Sequence, residues 1–389
     1  MVKKNIKVVI GANFGDEGKG LMTDYLCHQA ALRGGNCIVV CHNGGAQRGH
    51  TVDAPEGLHH VFHHFGSGTF VGVDTYLAEG FILNPILFRQ EWEELNKIGF
   101  EPKVYINDKC MVSTPFDMMI NQILEEKRAE NRHGSCGLGI HETIERHKHG
   151  CVSFLSDYDG LNRINLEIIR DKYFSTRMAD LGIYLDGEWG EIFYSDSLID
   201  NYLHDLEFMN EHSARADEVV LSKYDSIVFE GGQGLLLDQN NEEYFPHLTP
   251  SNTGLKNPAE MIESLFPGAD VEVCYVTRPY LTRHGAGRLD NECCKEEINP
   301  DMEDLTNVPN PHQGTLRYGK LDVSELIGRI HKDFSGRNNW KLSLAATHRN
   351  EVDSLFKSVD SIGLSDLKKF FGSIYLSYGK TRDYVCKYL

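Results

Sequence analysis

Ile6-Lys7-Val8-Val9-Ile10-Gly11-Ala12-Asn13-Phe14-Gly15-Asp16-Glu17-Gly18-Lys19-Gly20 is the stretch on which the fold turns. Its first part, Ile6 to Gly11, is an apolar, β-branched run of the kind that fills a buried strand. The run closes in a glycine-rich turn, and a helical pattern starts near Gly18. The same strand signal returns at Asn36 to Cys41, Ser226 to Glu230, Val271 to Val276 and Trp340 to Ala345. Helical stretches fall between these runs, at about Pro85 to Lys97, Phe116 to Arg128, Leu198 to Ala214 and Val323 to Phe334. Strands alternating with helices predict an α/β protein with a mostly parallel central sheet flanked by helices. We read residues 1–389 as one domain, with long active-site loops at 131–160 and 281–321. Ligands of such sheets sit outside the carboxyl ends of strands, which is where these glycine turns fall.

Composition narrows the function. Of 389 residues, 39 are Lys or Arg and 57 are Asp or Glu, a formal charge of -18. So acidic a chain is a poor general binder of nucleic acid or of an anionic membrane, so neither is expected as a partner. Any phosphate it holds must be gripped by local backbone amides and a few cations. The ten cysteines are scattered, with no CxxC pair, which suits reduced thiols. The sequence offers no signal-peptide pattern and no apolar run of membrane-spanning length, and a cytoplasmic location is expected.

Three glycines within six positions, next to a lysine, suit a loop whose amides wrap a phosphate at a helix N-terminus. It is not a Walker A loop, because Asn13 and Gly20 stand where that pattern needs a glycine and a Ser/Thr. It also carries an acid, Asp16, inside the anion loop. A carboxylate there is repulsive to phosphate unless it binds magnesium or takes a proton from the substrate. His59, His60, His63 and His64 invite a zinc reading, but no cysteine or carboxylate spacing completes such a site. His141-Glu142 is not a zinc-protease motif, since Glu145 occupies the second histidine's place.

Gly15-Asp16-Glu17-Gly18-Lys19-Gly20 resembles the signature of the adenylosuccinate synthetase family, and the resemblance continues in order along nearly the whole chain. Gly44-Gly45-Ala46-Gln47-Arg48-Gly49-His50-Thr51, Phe229-Glu230-Gly231-Gly232-Gln233-Gly234, Thr249-Pro250-Ser251-Asn252-Thr253 and Thr282-Arg283-His284-Gly285-Ala286-Gly287 are similar to the later motifs. Gly134-Ser135-Cys136-Gly137-Leu138-Gly139 is a weaker match to the loop that holds the substrate phosphate. The resemblance implies a ligase that phosphorylates O6 of a purine monophosphate with a nucleoside triphosphate. The amine of L-aspartate then displaces the phosphate. Phosphorylation makes a good leaving group of a poor one. It needs a base for the N1 proton, a metal to screen the phosphates, and donors for charge developing on oxygen.

The resemblance implies the following assignments. Asp16 is the base and, with the Gly49 carbonyl, a magnesium ligand. His50 stabilises the transferred phosphoryl, Lys19 supplies a point charge, and Gln233 stabilises the 6-oxyanion. Gly15, Glu17, Gly18, Lys19, Gly20, Gly49, His50 and Thr51 surround the triphosphate. Asn13, Gln47, Ser135, Gln233 and Thr249 hold the purine monophosphate, joined by Arg146 reaching across a homodimer interface. Gln313, Gly314, Thr315 and Arg317 take the aspartate. His348, Asn350, Ser377 and Gly379 meet the base of the triphosphate.

Several positions depart from the family pattern. Ala46-Gln47-Arg48 replaces histidine-asparagine-alanine, and the aspartate loop His312-Gln313-Gly314-Thr315-Leu316-Arg317-Tyr318-Gly319 keeps one arginine where several are usual. Neutral Asn350 or His348 stands where an aspartate reads guanine, so ATP or dATP is as open a donor as GTP. These changes, and Phe14 in place of tryptophan, resemble a phage branch of the family that acts on dGMP to make 2-aminoadenylosuccinate. That branch usually has a small residue where this chain has Asp16, which favours IMP. A GTPase-like switch and an inactive nucleotide-binding scaffold are the competing classes. The Walker residue types are missing for the first, and Asp16, Lys19, His50 and Gln233 are all retained against the second.

Overall fold

A computed structural model describes residues 4–128, 135–159, 162–301 and 315–389. Ten strands form its main sheet: Asn5–Gly11 (β1), Cys37–Cys41 (β2), Asp74–Leu77 (β3), Val104–Ile106 (β4), Ala214–Arg215 (β5), Ser226–Gly234 (β6), Asp270–Thr277 (β7), Lys341–Ala346 (β8), Ser373–Ser377 (β9) and Val385–Lys387 (β10). Their order across the sheet is β10-β9-β8-β7-β1-β6-β2-β3-β4-β5. All neighbours run parallel except β10 against β9. The first strand therefore lies inside the sheet, with Val8 opposite both Phe229 and Val273.

Alternation of side chains along each strand feeds two cores. Val9, Val39 and Val228 face one side, under Leu21, Met22 and Leu26 of helix α1 (Lys19–Leu32) and Phe88 and Leu95 of helix α2 (Pro85–Lys97). Ile6, Val8, Ile10, Ile38, Ile227 and Val273 face the other. They are covered by Ala259 and Ile262 of helix Lys256–Leu265 and by Leu326, Ile327 and Ile330 of helix Val323–Phe334. Burial of each such side chain on both faces is worth roughly 1.5–3 kcal/mol. That is why these central strands read as continuous apolar runs rather than as an alternation.

Five strands of the sheet, β3, β4, β5, β9 and β10, were not among the sequence expectations, and the two long loops need correction. Residues 140–148 form a helix, Ile140–Lys148. Within 281–321, Leu281–Arg283, Glu292–Cys293 and Arg317–Gly319 form a small antiparallel sheet, with Arg283 opposite Arg317. Strands of two or three residues carry no readable period, which is why this sheet was missed. The helix expected at Leu198 to Ala214 runs Asp196–Glu211, and Ala214 instead opens β5.

Two features of the sheet place the site. The glycine turns after β1, β2 and β6 open at one edge, together with the ends of β7 and β8. In addition, β6 bulges against β1: Val9 pairs with Glu230, but Gly11 pairs with Gly234. The extra residues push Gln233 out of the ladder and into the left-handed region, with φ 57°. Within the four-histidine stretch, His63 and His64 are held by the buried carboxylate of Glu91. Glu91 accepts the amides of His63 at 2.8 Å and His64 at 2.6 Å. Among the described residues no helix is long and apolar enough to cross a membrane.

Candidate active site

The first glycine loop is braced from within. Glu17 turns its buried carboxylate back on the loop, where Oε1 accepts the amides of Asn13 at 3.0 Å and Gly15 at 2.9 Å. Lys19 Nζ donates to the Gly15 carbonyl at 2.5 Å. Burial pushes the Glu17 carboxyl up and the Lys19 ammonium down, while each charge partly restores the other. Neighbouring strand ends grip the loop as well. Arg278, after β7, donates from Nε to the Asp16 carbonyl, and Thr347, after β8, donates from Oγ1 to the Glu17 carbonyl at 2.7 Å. No side chain caps α1 at Gly18, so its first turn is left to meet an anion. Gly15, at φ 117°, packs its backbone on that of Gln233, where an added Cβ would lie 3.0 Å from Cα.

Glu230 is the hub of the second element. It is fully buried in β6, just before the bulge, and binds three side chains. His50 Nδ1 lies 2.8 Å from Oε1, Arg48 Nη1 lies 3.4 Å from Oε2, and Ser67 donates from its hydroxyl to Oε1 and from its amide to Oε2 at 3.2 Å. Burial pushes the Glu230 carboxyl up, but the charges of His50 and Arg48 and the hydrogen bonds of His50 and Ser67 outweigh it, leaving it at about 2. Burial pulls the His50 imidazole down to about 4 against the attraction of Glu230. A charged Glu230 with a neutral His50 fixes the tautomer: Nδ1–H donates to Glu230, and Nε2 is left as the working atom. That Nε2 is buried and has no partner among the described residues.

These elements line one cavity of about 710 Å³. Its walls include ten of the expected site residues: Gly15, Asp16, Lys19, Gln47, Gly49, His50, Thr51, Ser135, Gln233 and Thr249. Gln47 Oε1 and Gln233 Oε1 share the condition of His50 Nε2, being buried and unpartnered among the described residues. Such groups are costly unless a ligand completes them. Ser135 accepts from Asn121 Nδ2 at 2.9 Å, which holds its hydroxyl in place. Asp16 is the accessible carboxylate of the loop, one-third exposed and 3.4 Å from His284 Nε2. The Asp16 carboxylate and the Gly49 carbonyl, both in the cavity wall, are oxygen ligands of the kind that would hold a hard cation such as magnesium. The start of α1 lies against a short strand, His50–Asp53, since a Cβ on Gly20 would meet the Thr51 carbonyl at 2.8 Å.

Other expected residues are placed elsewhere. Arg146 is wholly buried, its Nη2 2.9 Å from Asp117 Oδ2 and its other donors on Asp117 and on the carbonyls of Val112 and Val152. The expectation that it reaches a phosphate across a subunit boundary is therefore corrected, because a buried bidentate ion pair holds it inside its own chain. Asn13 is corrected for a similar reason. Its Nδ2 donates to Thr277 Oγ1 at 2.9 Å, and its Oδ1 accepts from Arg329 Nη2 at 2.6 Å, so the side chain braces the loop. Arg317 lies outside the cavity wall, bidentate to Glu292 at 2.8 and 2.6 Å. Thr315 is exposed beside it, and Gln313 and Gly314 lie outside the described residues.

His348 and Asn350 follow β8, Ser377 ends β9 and Gly379 follows it, and none of the four is in the cavity wall. Thr347 comes within 3.2 Å of a Cβ built on Gly18, and Ser377 Oγ donates to the Gly379 carbonyl at 2.8 Å. Sequence reasoning assigned no role to several wall residues, notably Arg128, Arg177, Arg283 and His284. The last two sit in a quoted motif and could have been found there. Arg128 and Arg177 stand in helices with no local signature.

A parallel sheet whose carboxyl edge carries an acid-bearing glycine loop beside a carboxylate-held histidine defines a nucleotide-handling α/β enzyme. Residues 8–323 match the family model described as adenylosuccinate synthetase. The chain belongs to the adenylosuccinate synthetase family, ligases that form a C–N bond with the help of a nucleoside triphosphate. An adenylosuccinate synthetase of Microcystis aeruginosa is 28% identical over 359 residues, covering 90% of this chain and 74% of that protein. That of Picrophilus torridus is 30% identical over 298 residues, covering 75% and 66%. Among solved structures, the fully ligated adenylosuccinate synthetase from Plasmodium falciparum superposes with a TM-score of 0.71 at 18% identity, covering 98% of this chain and 99% of that one. The succinoaminodeoxyadenylate synthetase of cyanophage S-2L, bound to dGMP and to dATP as an energy donor, does so with 0.63 at 16% identity, covering 99% and 95%. At these identities the structural matches speak to the fold.

Proposed function

We propose that this enzyme phosphorylates O6 of IMP with a nucleoside triphosphate and condenses the product with L-aspartate to give adenylosuccinate. The observation that carries the reading is the convergence of Gln47, Gln233 and His50, each with a buried unpartnered atom, on the cavity that Asp16 also lines. Two neutral amides suit a purine's mixed donors and acceptors. Asp16 takes the N1 proton as O6 attacks the γ-phosphorus, and Gln233 donates to the oxygen on which charge gathers. His50 Nε2 meets the phosphoryl oxygens. Anionic charge beside it favours the imidazolium, which Glu230 is already placed to stabilise. Lys19 and the first turn of α1 hold the polyphosphate, and Ser135 and Thr249 hold the 5′-phosphate. Magnesium, held by Asp16 and the Gly49 carbonyl, supplies charge screening for the phosphates.

A second reading has dGMP as acceptor and ATP or dATP as donor. It is favoured by His348 and Asn350 standing where a carboxylate would pair with guanine, since neither residue carries one. The intact Asp16 favours the first. Incubating the protein with aspartate, magnesium and each pairing of IMP or dGMP with GTP or ATP, followed by mass spectrometry, separates them. Succinyl-AMP from IMP is the expected product. A 2-amino succinyl product from dGMP alone would establish the second reading, and no product in any pairing would sink both.

A further inference from the structure

Arg283 is a buried cation without an anion. It is 2% exposed, yet no carboxylate among the described residues forms an ion pair with it. Its Nη1 and Nη2 donate to the carbonyls of Arg288 at 2.5 Å and His247 at 3.0 Å, and its Nε has no partner among the described residues. Burying an unpaired guanidinium is expensive, and a site that keeps one is completed by an anionic ligand. The side chain is also held rigid. Its guanidinium lies 4.7 Å above the Phe14 ring and 5.7 Å from that of Tyr244. A Cβ on Gly287 would come within 2.9 Å of its Cζ, so only glycine lets the group lie flat there.

The second cation of this region is Arg317, directly opposite Arg283 in the small antiparallel sheet. Arg317 Nη1 donates to the carbonyls of Gly285 at 3.2 Å and Gly287 at 2.8 Å, the turn against which Arg283 also packs. Burial, and next the charge of Arg317, push the Arg283 guanidinium below its ordinary range, as expected of two cations competing for too few anions. Arg317 is partly exposed and already holds a carboxylate, that of Glu292. Arg283 lines the cavity beside Asp16 and His284. From this we infer that Arg283 binds one carboxylate of the amino-acid substrate, with Arg317 exchanging Glu292 for the other. The two arginines are brought together by strand pairing instead of lying side by side in one loop. The inference rests on the reading of aspartate as the third substrate.

The test is steady-state kinetics on R283Q and R283K, with succinate as a dicarboxylate inhibitor of the unaltered enzyme and of both variants. R283Q is expected to raise the KM for aspartate roughly 10- to 100-fold and weaken succinate inhibition in step, with the KM for both nucleotides within about twofold. R283K, which keeps the charge but not the planar fork, recovers part of that loss. A KM for aspartate unchanged in R283Q overturns the inference. So does a parallel rise in the KM of all three substrates, which is what loss of the packing on Phe14 alone produces. Should R283Q fail to fold, R283K decides: a rise confined to aspartate and succinate supports the assignment, and a uniform rise or none refutes it. An unaltered enzyme that makes no succinyl product fails at the proposed function instead.

Discussion

Removing the charge of Glu230 while keeping its shape isolates what that residue does for His50. In E230Q, the His50 Nδ1–H loses its carboxylate and Arg48 loses its ion-pair partner, keeping its hydrogen bonds to the carbonyls of His63 and Phe65. Breaking such a buried pair costs roughly 3–5 kcal/mol. We expect a clear fall in the urea midpoint, and a kcat lowered roughly 10- to 100-fold in the fraction that folds. H50N should leave the fold intact and still lose product formation. A kcat for E230Q equal to that of the unaltered enzyme would contradict the role given to the carboxylate. At this scale the compact motifs point to the cavity, although Asn13, within the first of them, braces the loop through Thr277 and Arg329 instead of facing it. Asp16, Lys19, Gln47, His50 and Gln233, from three separate motifs, all line one cavity wall. Arg146 was misjudged because its partner, Asp117, lies 29 residues away on another helix. Glu230 was quoted within its motif, but its three partners come from positions 48, 50 and 67, and only the fold shows that they meet.

Among the elements, the bulge in β6 and the loop after β1 act as one piece, since Gly15 rests on the backbone of Gln233. A side chain at Gly15 must adopt φ 117° and also press on Gln233. We expect G15A to lower stability by about 1–3 kcal/mol and to raise the KM for the triphosphate and the purine monophosphate together. Thermal melting and two-substrate kinetics check this, and a change in only one of the two KM values would show the elements to be independent. The strands flanking this junction were readable because burial on both faces makes them apolar throughout. Asp74-Thr75-Tyr76-Leu77 and Ser373-Ile374-Tyr375-Leu376-Ser377 mix polar and aromatic residues over four and five positions, too few for a period to stand out. The bulge itself carried a trace in sequence, the paired glycines at 231 and 232, but not its direction.

For the molecule as a whole, the buried histidines set the response to acid. His50 is held at about 4, and His42 at about 3 by burial with the Arg48 charge behind it. Both lie below the ordinary 6.5, so the unfolded chain binds more protons than the folded one as the medium acidifies. Their contribution is fully present above about pH 6.5 and is lost as the pH falls through 4 and then 3. Asp24 acts in the opposite sense. Burial, against the pull of Arg382, raises it from 3.8 to about 6, so its contribution is present in acid and lost as the pH rises through 6. That single shift is smaller than the two histidine shifts together. Urea midpoints should therefore be level from pH 7 to 8 and decline from about pH 6 to pH 4. A midpoint that rises over that lower range would show Asp24 to dominate.

The place of β1 inside the sheet has a consequence in time. Its partners are Ser226–Gly234 and Asp270–Thr277, so the first strand made must wait for chain that follows Gly11 by 215 residues before either flank can close. At roughly 5–20 residues per second, a ribosome takes about 10–45 s to supply the nearer partner. Throughout that interval Ile6, Val8, Val9 and Ile10 have no sheet to enter. Such non-local pairing folds slowly and leaves sticky segments on display. The glycine loop that follows β1 cannot take its working shape until β6 arrives, because Gln233 and Gly234 form the surface it rests on. The nucleotide loop is thus made well before the strands that order it, and it stays without its supporting surface for that whole interval.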